Sequence, residues 1–237
     1  MVFKKGNPGC PCCPCPCYYF EGSGKDSFGN KRLTESGAMY SKTFNFGYAS
    51  QGSQSAQFTG SSYFQREKDS CFSPYGHTTW TISFDMKIVT EPDLPQSQAM
   101  GLITRGSWDG NPPAGTMSGE WAIIYEHQET GNTVYFILKT DSTTNALHGL
   151  SLNDSSGTGA SGFNTISWTI GTGTASKVVA NGTEYTNNYV GSLVYGDDDL
   201  YIGNNTDGLK LGEASGEFPD IVDGGEILID NLCFSVT

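Results

Sequence analysis

Residues 80–88, WTISFDMKI, place Trp80, Ile82, Phe84, Met86 and Ile88 at every second position, with Thr81, Ser83, Asp85 and Lys87 between them. Successive side chains of a strand point to opposite faces, so a period of two predicts a strand with one apolar face; no helix gathers those five residues on one side. The same pattern predicts strands in GLITRG (101–106), EWAIIYEH (120–127), TVYFILKT (133–140), NTISWTIG (164–171), SKVVANGTEYT (176–186), DLYIGN (199–204) and GEILIDNLCFSV (225–236). No stretch carries a convincing helical period. Asn181-Gly182, between two alternating runs, meets the need of a type I′ turn for positive φ at both central residues and predicts a hairpin. The 31 glycines fit a chain of many turns. Eight or more short strands joined this way predict an all-β fold, a two-sheet antiparallel β-sandwich. A chain of 237 residues suits one such domain, assigned here to residues 21–237, behind an extended Cys/Pro-rich anchoring arm at residues 1–20.

The net charge of −12 is unevenly placed. Lys4 and Lys5 are the only charged residues before residue 18, which leaves 11 basic residues against 25 acidic ones, or −14, on the remainder. Such a surface repels nucleic acid and anionic membranes. No run reaches the ~20 apolar residues of a membrane span. MVFKKGNPGC lacks the apolar segment of a secretory signal peptide, so the expectation is synthesis in a cytoplasm without one. The sequons at Asn153, Asn181 and Asn204 then read as polar turn residues.

In order along the chain, several segments resemble those of the laminin-G-like, concanavalin-A-like jelly roll. SAQFTGSSYFQRE (55–67) resembles that family's A-x-F-x-G-x-x-Y strand pair, WTISFDMKI its core strand, and GLITRGSWDG its following strand and loop. GEWAIIYEH and TVYFILKTD resemble the paired central strands, FNTISWTI the next strand, KVVANGTEY a hairpin, and LYIGNN and GEILIDNLCFSV the closing strands. The resemblance covers about residues 40–237. Two positions depart from it: Asn181 stands for the hairpin aspartate, and Phe163, Asn164 and Thr165 replace a tryptophan and histidines. The resemblance implies a sandwich that recognises glycans or proteins, with some relatives that are glycoside hydrolases.

A glycosidase needs two carboxylates facing the sugar about 5–9.5 Å apart. The nearest stretches, Glu217 to Asp220 and Glu226 to Asp230, do not supply the Glu-x-Asp-x-x-Glu strand of the fold's hydrolase branch. The histidines His77, His127 and His148 are far apart, and no G-x-S-x-G elbow accompanies them. The expectation is therefore a protein without catalytic residues. For binding, Trp108, Asp109 and Asn111 in the Gly/Pro-rich loop 106–119 offer a stacking face and polar partners for a sugar, joined by Tyr125 and His127 at a strand end. Tyr125 has a second reading, as a continuation of the Trp121/Ile123 core stripe. Asp197, Asp198, Asp199, Asn204 and Asp207 offer the hard oxygens that Ca²⁺ prefers, or form a solvated acidic turn.

GCPCCPCPC (9–17) gathers Cys10, Cys12, Cys13, Cys15 and Cys17, five of the seven cysteines. Bonds within the cluster are disfavoured by its tight spacing and its prolines. Four close thiolates suit zinc or an iron–sulfur cluster, and copies meeting on a symmetry axis would share the ligands more easily than one arm could supply them. An intermolecular cluster, by metal or by disulfide, is the expectation; a reactive free tail is the alternative. Cys71 and Cys233 read as packing residues or a late bridge. By analogy, an arm carrying one jelly roll, made without a signal peptide, fits a homo-oligomeric adhesin or decoration protein of a virion or extracellular surface, of the phage tail or capsid kind, that binds a surface glycan and touches virion or filament structural proteins. A polysaccharide-degrading hydrolase and a filament or matrix subunit are the alternatives.

Overall fold

A computed structural model describes residues 15–21, 24, 32–36, 39–41, 54–59, 62–90, 99–106, 108–109, 116–117, 119–126, 133–142, 144–151, 162–171, 173–203, 209–210 and 226–237. Two antiparallel sheets face each other across one core. The first contains β1 (Cys17–Tyr18), β3 (Met39–Ser41), β4 (Ser55–Thr59), β6 (Thr79–Thr90), β13 (Asn164–Gly171), β14 (Ala175–Ala180), β15 (Thr183–Asn188) and β18 (Glu226–Val236). Its order is β15-β14-β13-β6-β18-β4-β3, with β1 also paired to β18. The second contains β2 (Thr34–Ser36), β5 (Tyr63–Arg66), β7 (Ala99–Arg105), β10 (Trp121–Glu126), β11 (Thr133–Lys139), β12 (Thr144–Ser151) and β16 (Leu200–Gly203). Its order is β12-β11-β10-β7-β16-β5-β2. A small third sheet joins β8 (Trp108–Asp109), β9 (Thr116–Met117) and β17 (Leu209–Lys210). This is the expected all-β, two-sheet antiparallel sandwich.

Every strand read from alternation is present, and one short 3-10 turn, Ser70–Phe72, stands among the described residues. Trp80, Ile82, Phe84, Met86 and Ile88 are all buried, as their spacing requires. Asp85 departs from the pattern: it is buried on the opposite face, and its carboxylate accepts a hydrogen bond from Asn231 at 2.7 Å. The Asn181-Gly182 turn has φ of 50° and 82°, the double left-handed geometry that its sequence invites. Asn181 also closes the turn with its side chain, whose Oδ1 accepts from Thr165 N and whose Nδ2 donates to Asn164.

Three tryptophans form the centre of the core. Trp80 of the first sheet lies 5.1 Å from Trp121 of the second, ring centre to ring centre, and both meet Trp168 edge-on. Their indole N–H groups are all satisfied: Trp80 donates to Cys71 O, Trp121 to Phe72 O and Trp168 to Ser176 Oγ. Ser176 in turn lies 2.9 Å from His148 Nε2, a hydrogen bond that crosses from β14 to β12 and so links the two sheets.

The arm is not separate from this body at its end. Cys15 is disulfide-bonded to Cys71, and Cys17 to Cys233. Tyr18 and Phe20 are buried, with Phe20 stacked on Phe64. The expectation that Cys15 and Cys17 serve as thiolate ligands is corrected, because their sulfurs are consumed by cysteines of the sandwich. Residues 15–20, placed with the arm on sequence, pack as part of the fold. Cys71 and Cys233 are the bridge partners. Cys10, Cys12 and Cys13 lie outside the described residues.

Two stability tests follow from these contacts. A disulfide that closes a loop over most of the chain typically contributes about 2–5 kcal/mol. Cys17→Ser with Cys233→Ser should therefore lower the denaturant midpoint markedly, and an unchanged midpoint would refute the bond. Burial lowers the His148 pKa from 6.5, so the unfolded chain binds this proton more readily than the folded one. Stability from this group is complete above about 6.5 and is lost as pH falls from there towards the depressed value. Thermal melts should show parent stability dropping over that window relative to His148→Gln; parallel curves would contradict the assignment.

Candidate functional site

At one end of the sandwich, an open cleft of about 440 Å³ lies between residues 75–78, the β13–β14 turn at 173–174, and residues 189 and 191–193. Each wall is fixed by hydrogen bonds to the scaffold. Thr78 N donates to Thr237 O, and Tyr75 N to Ser73 Oγ. Tyr189 is buried and bonds to Gly171 O through its hydroxyl and to Thr174 O through its backbone N–H. The Asp141 carboxylate accepts from Ser192 N and Ser142 Oγ, which hold its pKa below the usual range. Thr174 has φ of 72°, a left-handed geometry that a β-branched residue adopts only at a cost, so its conformation is imposed by these neighbours.

Two tyrosines stand out from the cleft's edge. Tyr75 is 50% exposed and Tyr195 57%, with ring centres 5.9 Å apart and planes tilted by 58°. Two exposed aromatic rings set side by side supply a stacking face. Beneath Tyr195 lies the Arg105 guanidinium, 5.9 Å from its ring centre.

That arginine organises the loop bearing Tyr195. Arg105 and Glu120 form a fully buried ion pair at 3.3 Å. Arg105 also donates to the carbonyls of Asp69, Gly196 and Asp198. Glu120 accepts from Gly196 N at 2.6 Å and from Ser73 Oγ at 2.9 Å. Burial pushes the Glu120 pKa up, while Gly196 N–H, Arg105 and Ser73 pull it back. Segments 69–73 and 196–198, which flank the two exposed tyrosines, are thus tied to one buried pair.

The sequence-predicted site residues fall elsewhere. Tyr125 is fully buried, so its place in the binding set is corrected: it continues the core stripe of Trp121 and Ile123. Trp108 and Asp109 lie in β8, which pairs with β9 and, in parallel, with β17. The segment 106–119 therefore contains strands where a loop was expected. Its neck is pinched by Gly106 and Gly119, packed so closely that a Cβ on either would collide with the other's backbone. Asn111 and His127 lie outside the described residues. Asp197 pairs with Lys68 Nζ, and Asp199 accepts from Lys68 N and Gln65. Burial raises the Asp198 pKa, with Arg105 opposing. These three carboxylates thus serve different partners, and no group of three acidic, His or Cys side chains suited to a metal stands among the described residues. Asn204 and Asp207 lie outside them. Asp230 is buried and Glu226 accepts from Gln57 Nε2.

The fold, a two-sheet antiparallel sandwich, is shared with solved structures of other proteins. No protein-family model matches the sequence, and comparison with curated proteins gives no match. Among solved structures, the chain is similar to the binding domain of Paraclostridial Mosquitocidal Protein 1, with TM-score 0.64 and 13% identity over 94% of this chain and 48% of the other. It is similar to a structure titled "Cell entry of botulinum neurotoxin type C is dependent upon interaction with two ganglioside molecules", with TM-score 0.62 and 13% identity over 93% of this chain and 47% of the other. The botulinum neurotoxin type G receptor-binding domain follows, with TM-score 0.59 and 10% identity over 93% and 47%. The chain spans about half the length of each. These neighbours share the fold, and two of the three are named as binding domains.

The buried pair generates a test. Arg105→Met leaves Glu120 buried without its cation, a change that typically costs about 3–5 kcal/mol. Arg105→Lys should recover little, because one ammonium cannot serve three carbonyls and a carboxylate fanned around a guanidinium. Chemical denaturation of both variants checks this; near-parent stability of the lysine variant would show that charge alone suffices.

Proposed function

We propose that the chain is a non-enzymatic glycan-binding module of laminin-G-like type, displayed on the surface of a virion or other extracellular particle and joined to it through its N-terminal arm. The observation that carries this reading is the exposed Tyr75–Tyr195 pair beside a cleft whose walls are held rigidly by the sandwich. Sugars stack on aromatic faces while hydroxyl and backbone groups around them take up their polar edges. The fold shared with the binding domain of Paraclostridial Mosquitocidal Protein 1 and with a ganglioside-dependent botulinum neurotoxin supports a binding role. Two disulfides fit a protein that works in an oxidising setting. Display on a particle rests on analogy with armed jelly rolls.

A glycan array probed with the purified chain, paired with a reducing-sugar assay on every glycan bound, tests this. Retention of at least one glycan without release of reducing ends is the expected result. Release of reducing ends would make the chain a hydrolase, and a blank array would remove the glycan reading.

A further inference from the structure

We infer that the cleft beside Tyr75 takes an uncharged sugar, a neutral hexose or N-acetylhexosamine, in preference to a sialylated or uronic-acid one. This inference rests on the glycan-binding reading and specifies its ligand. Among the described residues lining the cleft there is no lysine, arginine, aspartate or glutamate. A carboxylated sugar desolvated here would lack the cation that normally accompanies a buried anion. The nearby charge is of the wrong sign. Asp141, bonded to the cleft residue Ser192, is held in its ionised form, and the chain as a whole carries −12.

Two of the basic groups near the tyrosines are already engaged. Lys68 is paired with Asp197, and the Arg105 guanidinium is buried against Glu120 and three carbonyls. His77 lines the cleft, but its Nε2 is directed to Ser70 O. What the walls do offer is neutral: the Tyr75 ring, the hydroxyls of Thr78, Thr174 and Ser192, and the apolar side chain of Leu193. One stacking face with several uncharged hydrogen-bonding groups matches a pyranose ring and its hydroxyls.

The experiment measures binding of the whole chain to matched glycans that end in galactose, glucose or N-acetylhexosamine, and to the same glycans capped with sialic or uronic acid. The neutral member of a pair is expected to bind at least about tenfold tighter, with little change between low and high salt because no ion pair is formed. Tyr75→Ala should cut that binding about tenfold, the order of one aromatic contact. Its thermal midpoint should remain that of the parent, since half of the side chain is exposed. Equal or tighter binding of capped glycans overturns the inference while leaving glycan binding intact. Neutral binding unaffected by both Tyr75→Ala and Tyr195→Ala overturns the assignment to this cleft. Absence of binding to every glycan in both sets overturns the inference together with the reading beneath it.

Discussion

The contact between Trp80 and Trp121 is the point on which the rest of the sandwich depends. Each indole belongs to a different sheet, yet both donate to adjacent carbonyls of the same 3-10 turn, those of Cys71 and Phe72. An indole buried without a partner would forfeit about 1–3 kcal/mol, so the turn is as necessary to the rings as the rings are to it. Phe72 extends the arrangement by packing edge-on against Phe234 of the last strand, with ring centres 4.8 Å apart. The first turn after β5, the middle strands of both sheets and the C-terminal strand thereby share one packing solution.

The polar counterpart sits at the end of the same region. A buried ion pair is a poor source of net stability but a strict specifier of geometry. Here its specificity falls on backbone: Arg105 and Glu120 together hold Asp69, Ser73, Gly196 and Asp198. None of these lines the cleft, yet they flank Tyr75 and Tyr195 and fix the backbone beside them. The stacking face is thus positioned by groups sealed from solvent, which leaves its exposed atoms free of structural duty.

The strands were legible because half-buried sheets write their faces into alternate residues. The fold class, the hairpin at Asn181-Gly182 and the core status of Trp121 and Ile123 follow from that rule alone. It fails where a strand slips register: β12 shifts its pairing between His148 and Ala146 opposite Phe136 and Ile137, so Leu147 and His148 are both buried and the period is lost. The disulfides were hidden for a different reason. Cys15 and Cys17 meet partners 56 and 216 residues away, and spacing within the arm carries no information about them. The cleft was least legible, since its walls come from three distant turns whose residues look like ordinary polar connections. Trp108 drew attention by its composition, whereas Tyr75 and Tyr195 are conspicuous only in three dimensions.

The bond from Cys17 to Cys233 gives the chain a mechanical property that neither cysteine has by itself. β18 lies inside the first sheet, between β6 and β4, so tension applied to the arm is delivered covalently to an interior strand. To yield there, β18 would have to slide against two neighbours at once, breaking many hydrogen bonds together, instead of peeling from an edge one bond at a time. Cys15, joined to Cys71 beside the tryptophans, adds a second point of load. A load applied to residues 15–17 therefore enters the sandwich through two covalent bonds, one to its last strand and one to the turn that caps its tryptophans.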